Sequence, residues 1–329
     1  MDHLAAVEQS VIRSAFLFAS VCMCMISCAQ TPDTVSEQDL LPANAEAINF
    51  FGDTLQRPIE EQATFHLKDS LLQEAATAYQ SDSNDLDNII WMGRRLAYLH
   101  RYKEAVDVFT RGVRLHPDAP ELYRHRGHRY ITIRKTDKAL EDLNKGISLA
   151  KNRARETEAD GIPNKLNIPL SNLHFNLFYH LGLAHYLNAD YNEAIAAYKK
   201  CMDYSDNPDL KVATSDWLYL SYMRSGDPAS ARNILDEIHS DLEIIENDDY
   251  LLRLLLYKGE KDPASFADSI SSPLAYATQY YGISCWHEFN DRKIEASDIR
   301  AKILASGFWP AFGFIASEAD SARQKQNGY

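Results

Sequence analysis

Between Leu86 and Ala119 the apolar and small positions fall in two groups, Ile89, Met92, Gly93 and Leu96, then Ala105, Phe109 and Gly112, with charged residues interleaved and Pro117 near the end. Recurrence at three- and four-residue steps predicts two short amphipathic helices joined by a turn. From Pro120 to Arg153 the pattern returns, with Tyr123, Gly127, Tyr130, Ala139, Leu143 and Gly146 at matching places. Gly93 and Gly127 are 34 residues apart, as are Ala105 and Ala139; each alanine follows its glycine by twelve, and Gly182 and Ala194 keep the same twelve. A fixed period of this length predicts one helical hairpin stacked several times rather than a single globular core.

A third unit, from Phe175 to Pro208, carries Phe178, Leu181, Gly182, Ala194, Tyr198 and Cys201, and a fourth, from about Val212, carries Leu218, Tyr222, Ala231, Leu235 and Ile238 with Gly226-Asp227 in the turn. Together these residues resemble the tetratricopeptide (TPR) signature W-x2-L-G-x2-Y, A-x3-F, P, in which two antiparallel helices cross so closely that only Gly or Ala fits at the contact. The resemblance implies an all-α fold, a right-handed TPR-type α-solenoid of stacked helical hairpins. The expected organisation is a signal peptide over 1–28, a polar tether over 29–57, an N-terminal capping helix over 58–85 and repeats 1 and 2 over 86–153. An inter-repeat insertion then occupies 154–174, repeats 3 and 4 occupy 175–245, and divergent repeats with a C-terminal capping helix after Trp309-Pro310 occupy 246–329.

In TPR stacks the first helix of each repeat lines the concave face, and carrying that register onto this chain selects the candidate partner-binding residues. They are Trp91, Arg94, Tyr98, Arg124, His125, His128, Asn176, Tyr179, His180 and Trp217. Arginine forks and aromatic rings along one groove suit a protein or peptide partner with an acidic or carboxylate feature. A groove satisfied internally, with Asp87, Glu121 and Asp216 as counter-charges, is the competing expectation, and a groove filled by the chain's own tail is another. The insertion holds Gly161-Ile162-Pro163-Asn164 and Asn167-Ile168-Pro169, which read as a structured loop. It is expected either to lean over the groove beside His174 and Asn176 and support binding, or to be a surface excursion.

The net charge of −13 falls to −12 without the first 28 residues, and no basic tail is present, so nucleic-acid binding through bulk charge is excluded. Ser14–Ser27 is an apolar run behind Arg13, too short to span a membrane comfortably and ending in small residues, which predicts export. Met1–Ser10 lacks Lys and Arg, so a leader starting at Val11 is expected. Met25-Ile26-Ser27-Cys28 resembles a bacterial lipobox, with Met25 where Leu is usual; lipidation at Cys28 and ordinary cleavage after Ala29 both fit. Lipidation would place the protein in the periplasm on the outer membrane, with that anchor as its only membrane contact. Cys201 and Cys285 are expected to be small buried apolar residues rather than a disulfide.

No cofactor and no metal are expected, because His174, His180 and His185 scatter around a helix and no Cys or carboxylate falls at ligand spacing beside His125 and His128. His287-Glu288 lacks the second histidine of H-E-x-x-H, and G-x-S-x-G, Walker A and G-x-G-x-x-G are missing. The blocks Tyr123–Tyr130, His180–Tyr186 and Trp309–Gly313 resemble a group of bacterial exported TPR proteins and lipoproteins, which implies no reaction. The expectation is a non-enzymatic envelope scaffold that binds a protein or peptide. Its rivals are a receptor for an anionic small molecule or glycan, and a groove hydrolase.

Overall fold

The computed structural model describes residue 42 and residues 44–326; the expected leader, Cys28 and most of the tether lie outside them. A two-stranded antiparallel hairpin, β1 (Ala45–Ile48) and β2 (Thr54–Gln56), leads into α1 (Gln62–Ser81). Four helical hairpins follow: α2 (Leu86–Tyr98) with α3 (Tyr102–Leu115), α4 (Pro120–Thr132) with α5 (Thr136–Ala150), α6 (Leu173–Leu187) with α7 (Tyr191–Met202), and α8 (Pro208–Ser225) with α9 (Pro228–Ile234). The chain continues through α10 (Asp248–Lys258), the pair α11 (Pro273–Phe289) and α12 (Lys293–Ala305), and α13 (Phe312–Gln326).

Local chemistry explains the boundaries. Asp85, Asn172, Asn207 and Ser272 accept from the backbone N–H three residues on, capping α2, α6, α8 and α11, and Pro120, Pro208 and Pro273 stand at first helical positions. The turn inside each hairpin carries one left-handed residue: His100 (φ 58), Arg134 (φ 62), Ala189 (φ 64), Gly226 (φ 83) and Asp291 (φ 58). Only one of the five is glycine, so four turns hold a strain of about 1 kcal/mol or more each.

The glycine slot works by proximity. A Cβ on Gly182 would lie 2.7 Å from the Tyr198 ring, one on Gly127 would lie 2.9 Å from Leu143, and one on Gly93 would overlap the Phe109 ring. In the fourth hairpin Tyr219 occupies this slot, and its ring stacks on Tyr257 of α10 at 4.5 Å. There the second helix is only seven residues long. A cavity of about 870 Å³ opens between α7, α8 and α9, lined among others by Lys199, Met202, Lys211, Leu218, Ile234 and Ile238.

Two differences from the sequence expectation concern the ends. Residues 44–57 are a docked hairpin rather than tether, because Glu46 is fully buried: its carboxylate takes Arg57 Nε at 2.6 Å and the Lys103 backbone N–H at 2.9 Å, capping α3 where Arg101 offers no acceptor. Also, α13 does more than cover the last pair. It packs on α11 and α12 and also reaches α6. Its Glu318, fully buried, accepts from Arg134 Nη2 at 2.7 Å, Arg134 Nε at 3.2 Å and the Phe50 N–H at 2.8 Å. Nearby, Trp309 Nε1 donates to the Gln56 carbonyl at 2.6 Å, so the hairpin of β1 and β2 is bonded both to α13, through Glu318, and to the segment that leads into it. Among the described residues no helix is long and apolar enough to cross a membrane.

Glu318→Ala strands the buried Arg134 guanidinium and the Phe50 N–H, and is expected to lower stability by about 3–5 kcal/mol in urea unfolding. The double change Arg134→Met, Glu318→Leu is expected to cost less than that single one.

Candidate functional site

The candidate site is the concave face, where α2, α4, α6 and α8 present their side chains. Around the N-terminal half, four guanidiniums converge. Arg94 and Arg95 lie over the Trp91 ring at 4.4 and 4.9 Å, and Arg129 lies over the Tyr102 ring at 5.7 Å. Arg124 donates through Nη1 to His125 Nδ1 at 2.7 Å, an arrangement that needs this nitrogen unprotonated, while the His125 ring stacks on Phe109 at 5.5 Å.

These arginines hold part of the insertion. Arg124 Nη2 is 3.0 Å from a Glu158 carboxylate oxygen, which also accepts from Asn176 Nδ2. Arg94 Nη2 donates to the Ala159 carbonyl at 2.9 Å, and Arg95 Nη1 to the Gly161 carbonyl at 2.7 Å. Tyr98 lies so close to Gly161 that any Cβ there would overlap the phenol. Asn164 shapes the insertion internally by accepting from the N–H groups of Leu166 and Ile168, and the insertion is anchored elsewhere by Asn164 Nδ2 on Glu246 at 3.2 Å and by Arg155 on Asp206 at 3.2 Å. The acids expected to balance the groove serve other cations or none: Glu121 pairs with Arg153 and Asp216 with Arg253, and Asp87 is exposed.

The C-terminal half is covered by α13. His128 and His180 face each other with ring centres 4.2 Å apart, and Phe312 lies 5.3 Å from the first and 5.8 Å from the second. Arg224 binds Asp320 at 2.8 Å and Arg323 donates to the Leu187 carbonyl at 2.6 Å. Of the expected groove residues, Trp217 is displaced: it has no exposed surface, donates to the Tyr179 hydroxyl at 2.9 Å, and forms with Tyr250 and Tyr281 an aromatic box around the buried Arg253. The register in the fourth hairpin points it into the stack because α10 packs over that face of α8. Tyr179 is buried with it, its hydroxyl 2.9 Å from that of Tyr250. His174 is also a core group, stacked on Tyr204 at 4.7 Å.

Burial and the surrounding guanidiniums set the electrostatics. Burial, reinforced by Arg124, holds His180 down to about 3. His125 and His128 lie well below the usual imidazole range, first through burial and then through Arg124 for the one and Arg129 for the other. Burial lowers Arg129 to about 10, and among the described residues it has no ion-pair partner. The cluster therefore has four fixed cations and three neutral imidazoles, with Glu158, Asp160 and Glu74 as anions acting on it.

Arg95 and Arg129 were not among the residues selected from the sequence, yet they are 34 apart and so occupy one repeat slot. That periodicity was the available signal. Glu158 had none, because the insertion belongs to no repeat, whereas Gly161 stands in the Gly161-Ile162-Pro163-Asn164 stretch that marks the insertion as a structured loop. Among the described residues no three His, Cys, Asp or Glu side chains are grouped to hold a metal ion.

Residues 175–208 match the family model described as tetratricopeptide repeat. No curated protein matches the chain. Among solved structures, a crystal structure of MamA is 15% identical, with 62% of this chain and 100% of that one covered at a TM-score of 0.42. MamA 41-end from Desulfovibrio magneticus is 22% identical, with 52% and 82% covered at 0.40. YrrB, titled a TPR protein with an unusual peptide-binding site, is 14% identical, with 75% and 97% covered at 0.37.

Because the folded state holds His180 near 3 and an unfolded imidazole titrates near 6.5, the unfolded chain binds a proton that the folded one refuses between these values. This contribution to stability is complete above about pH 6.5 and is lost as pH falls toward 3, with His125 and His128 acting in the same direction. In His180→Gln the slope of unfolding free energy against pH across this window should flatten by up to about 1.4 kcal/mol per pH unit.

Proposed function

We propose that this tetratricopeptide-repeat protein is a non-enzymatic scaffold that binds a protein or peptide segment carrying carboxylates at the N-terminal half of its concave face. The observation that carries this reading is the surplus of cation there in an acidic chain: Arg94, Arg95, Arg124 and Arg129 converge while Arg129 has no ion-pair partner among the described residues. Desolvated guanidiniums of this kind gain most from a planar carboxylate, which they bind through two parallel hydrogen bonds. Trp91 and Tyr98, half-buried beside them, supply rigid contact area at small entropic cost. The imidazoles favour binding over reaction, since their contacts are guanidinium, backbone carbonyl and aromatic rings rather than a nucleophile.

We propose also that the chain is exported and held at the outer membrane through lipid on Cys28. The apolar run Ser14–Ser27 and the small residues around Cys28 support it. Cys28→Ala is expected to shift the protein from the membrane to the soluble fraction; unchanged fractionation would remove the anchor from the proposal.

For the binding reading, crosslinked capture from the native envelope should compare the intact protein with Arg94→Ala, Arg124→Ala that still melts cooperatively. A partner retained only by the intact protein is the expected result. Capture of the same set by both proteins rejects the concave face as the recognition surface.

A further inference from the structure

The concave cluster already holds a peptide, namely residues 158–161 of the same chain. The contacts read an acidic backbone in order. Arg124 and Asn176 take the Glu158 carboxylate, Arg94 takes the Ala159 carbonyl, and Arg95 takes the Gly161 carbonyl. Asn176 is nearly buried at 6% exposure and Arg124 has a side-chain exposure of 13%, so the receiving groups are built into the face rather than added at a rim. Asp160, between the two carbonyls, leaves one buried carboxylate oxygen without a hydrogen-bond donor, so its side chain is not read. At Gly161 the Tyr98 phenol occupies the space of any side chain.

The segment is not fixed as a core element would be. Ala159 is exposed, and Ile162, Leu166 and Ile168 just beyond it expose 63%, 61% and 45% of their surface. The Glu158 N–H also donates to the Ser171 carbonyl at 2.9 Å and Asn164 Nδ2 to Glu246 at 3.2 Å. A loop with these apolar side chains in solvent gains little from burial and is held by polar contacts, of which those to Arg124, Asn176, Arg94 and Arg95 are the ones made with the concave face.

We infer that residues 158–161 are an internal occupant of the partner site, and that the partner presents a non-helical acidic segment of the form Glu-x-x-Gly which displaces them. This rests on the reading of the concave face as the recognition surface and specifies its ligand: a carboxylate for Arg124 and Asn176, carbonyls for Arg94 and Arg95, and a residue without a side chain against Tyr98. Binding is then set by exchange, because an incoming segment competes with one tethered permanently beside the site, at high effective concentration. Removing the insertion strengthens partner binding, opposite in sign to an insertion that supports the ligand.

The test uses a fluorescent peptide with the sequence of residues 156–163 and the full chain with residues 158–167 replaced by a Gly-Ser linker of equal length. The replaced protein should bind the peptide at least about tenfold more tightly than the intact protein, the advantage expected from removing a tethered competitor. A peptide with Gln in place of Glu158 should lose about tenfold or more, the cost of a missing charge-assisted hydrogen bond. A peptide with Ala in place of Gly161 should also bind weakly and regain affinity for a Tyr98→Ala protein, a rescue that loss of structure alone would not give. If the linker protein does not fold, Glu158→Gln, Gly161→Ala in the full chain releases the segment without deleting it. Equal binding by intact and released proteins, or none by a released protein that still melts cooperatively, overturns the inference. The peptide assay is independent of envelope capture: a partner lost in Arg94→Ala, Arg124→Ala but captured equally with and without the insertion leaves the concave-face reading standing and removes the internal occupant.

Discussion

Glu318 carries the constraint on which the rest of the architecture depends. A carboxylate with no exposed surface must find donors, and this one takes them from the turn between α4 and α5 and from the hairpin at the other end of the described chain. Stacked repeats would otherwise interact only with their neighbours. Here the Arg134–Glu318 pair, the Phe50–Glu318 bond and the Arg224–Asp320 pair make α13 a contact of the N-terminal hairpin and of the second and fourth helical hairpins together, and the Trp309–Gln56 bond just before α13 adds to the first of these. Arg134 occupies a left-handed position that a glycine would fill with less strain; the guanidinium that reaches Glu318 is the compensation.

The same closure divides the concave face. Over α6 and α8, Phe312 and Asp320 of α13 fill it with groups of fixed length and little freedom. Over α2 and α4, a loop fills it with a carboxylate and carbonyls. Both coverings are intramolecular, but they differ in what holds them: the first buries rings and a desolvated salt-bridge network, the second leaves its apolar side chains in water. Burial of apolar surface opposes removal in one place and scarcely contributes in the other.

The fold was legible because it is local. The Gly-to-Ala interval of twelve encodes a helix crossing within one hairpin, and the structure shows a ring or a leucine at the place of the missing Cβ. Where the slot holds Tyr219, the hairpin degenerates as the sequence pattern does. The candidate site was legible only in part. Arg94, Tyr98, Arg124, His125, His128, Asn176 and His180 do meet on one face, since register along a helix is local too. Trp217 does not, because α10 covers its side of α8 and nothing in the repeat period indicates that covering. Glu158, docked from outside the repeats, and Glu318, paired across 184 positions, depend on tertiary docking that no period encodes. The buried charges Glu46 and Arg253 are likewise explained only by partners distant in sequence.

The pairing of Arg134 with Glu318 also bears on how the chain is made. At about 5–20 residues per second, roughly ten to forty seconds separate synthesis of the two partners, and the hairpin over 44–57 waits longer still for Glu318 and Trp309. Repeats that have already stacked during that interval present an unpaired guanidinium and an uncovered face of histidine and tyrosine rings. A product that ends before α13 keeps them exposed permanently, so a chain cut short of this helix differs in its surface from one that carries it.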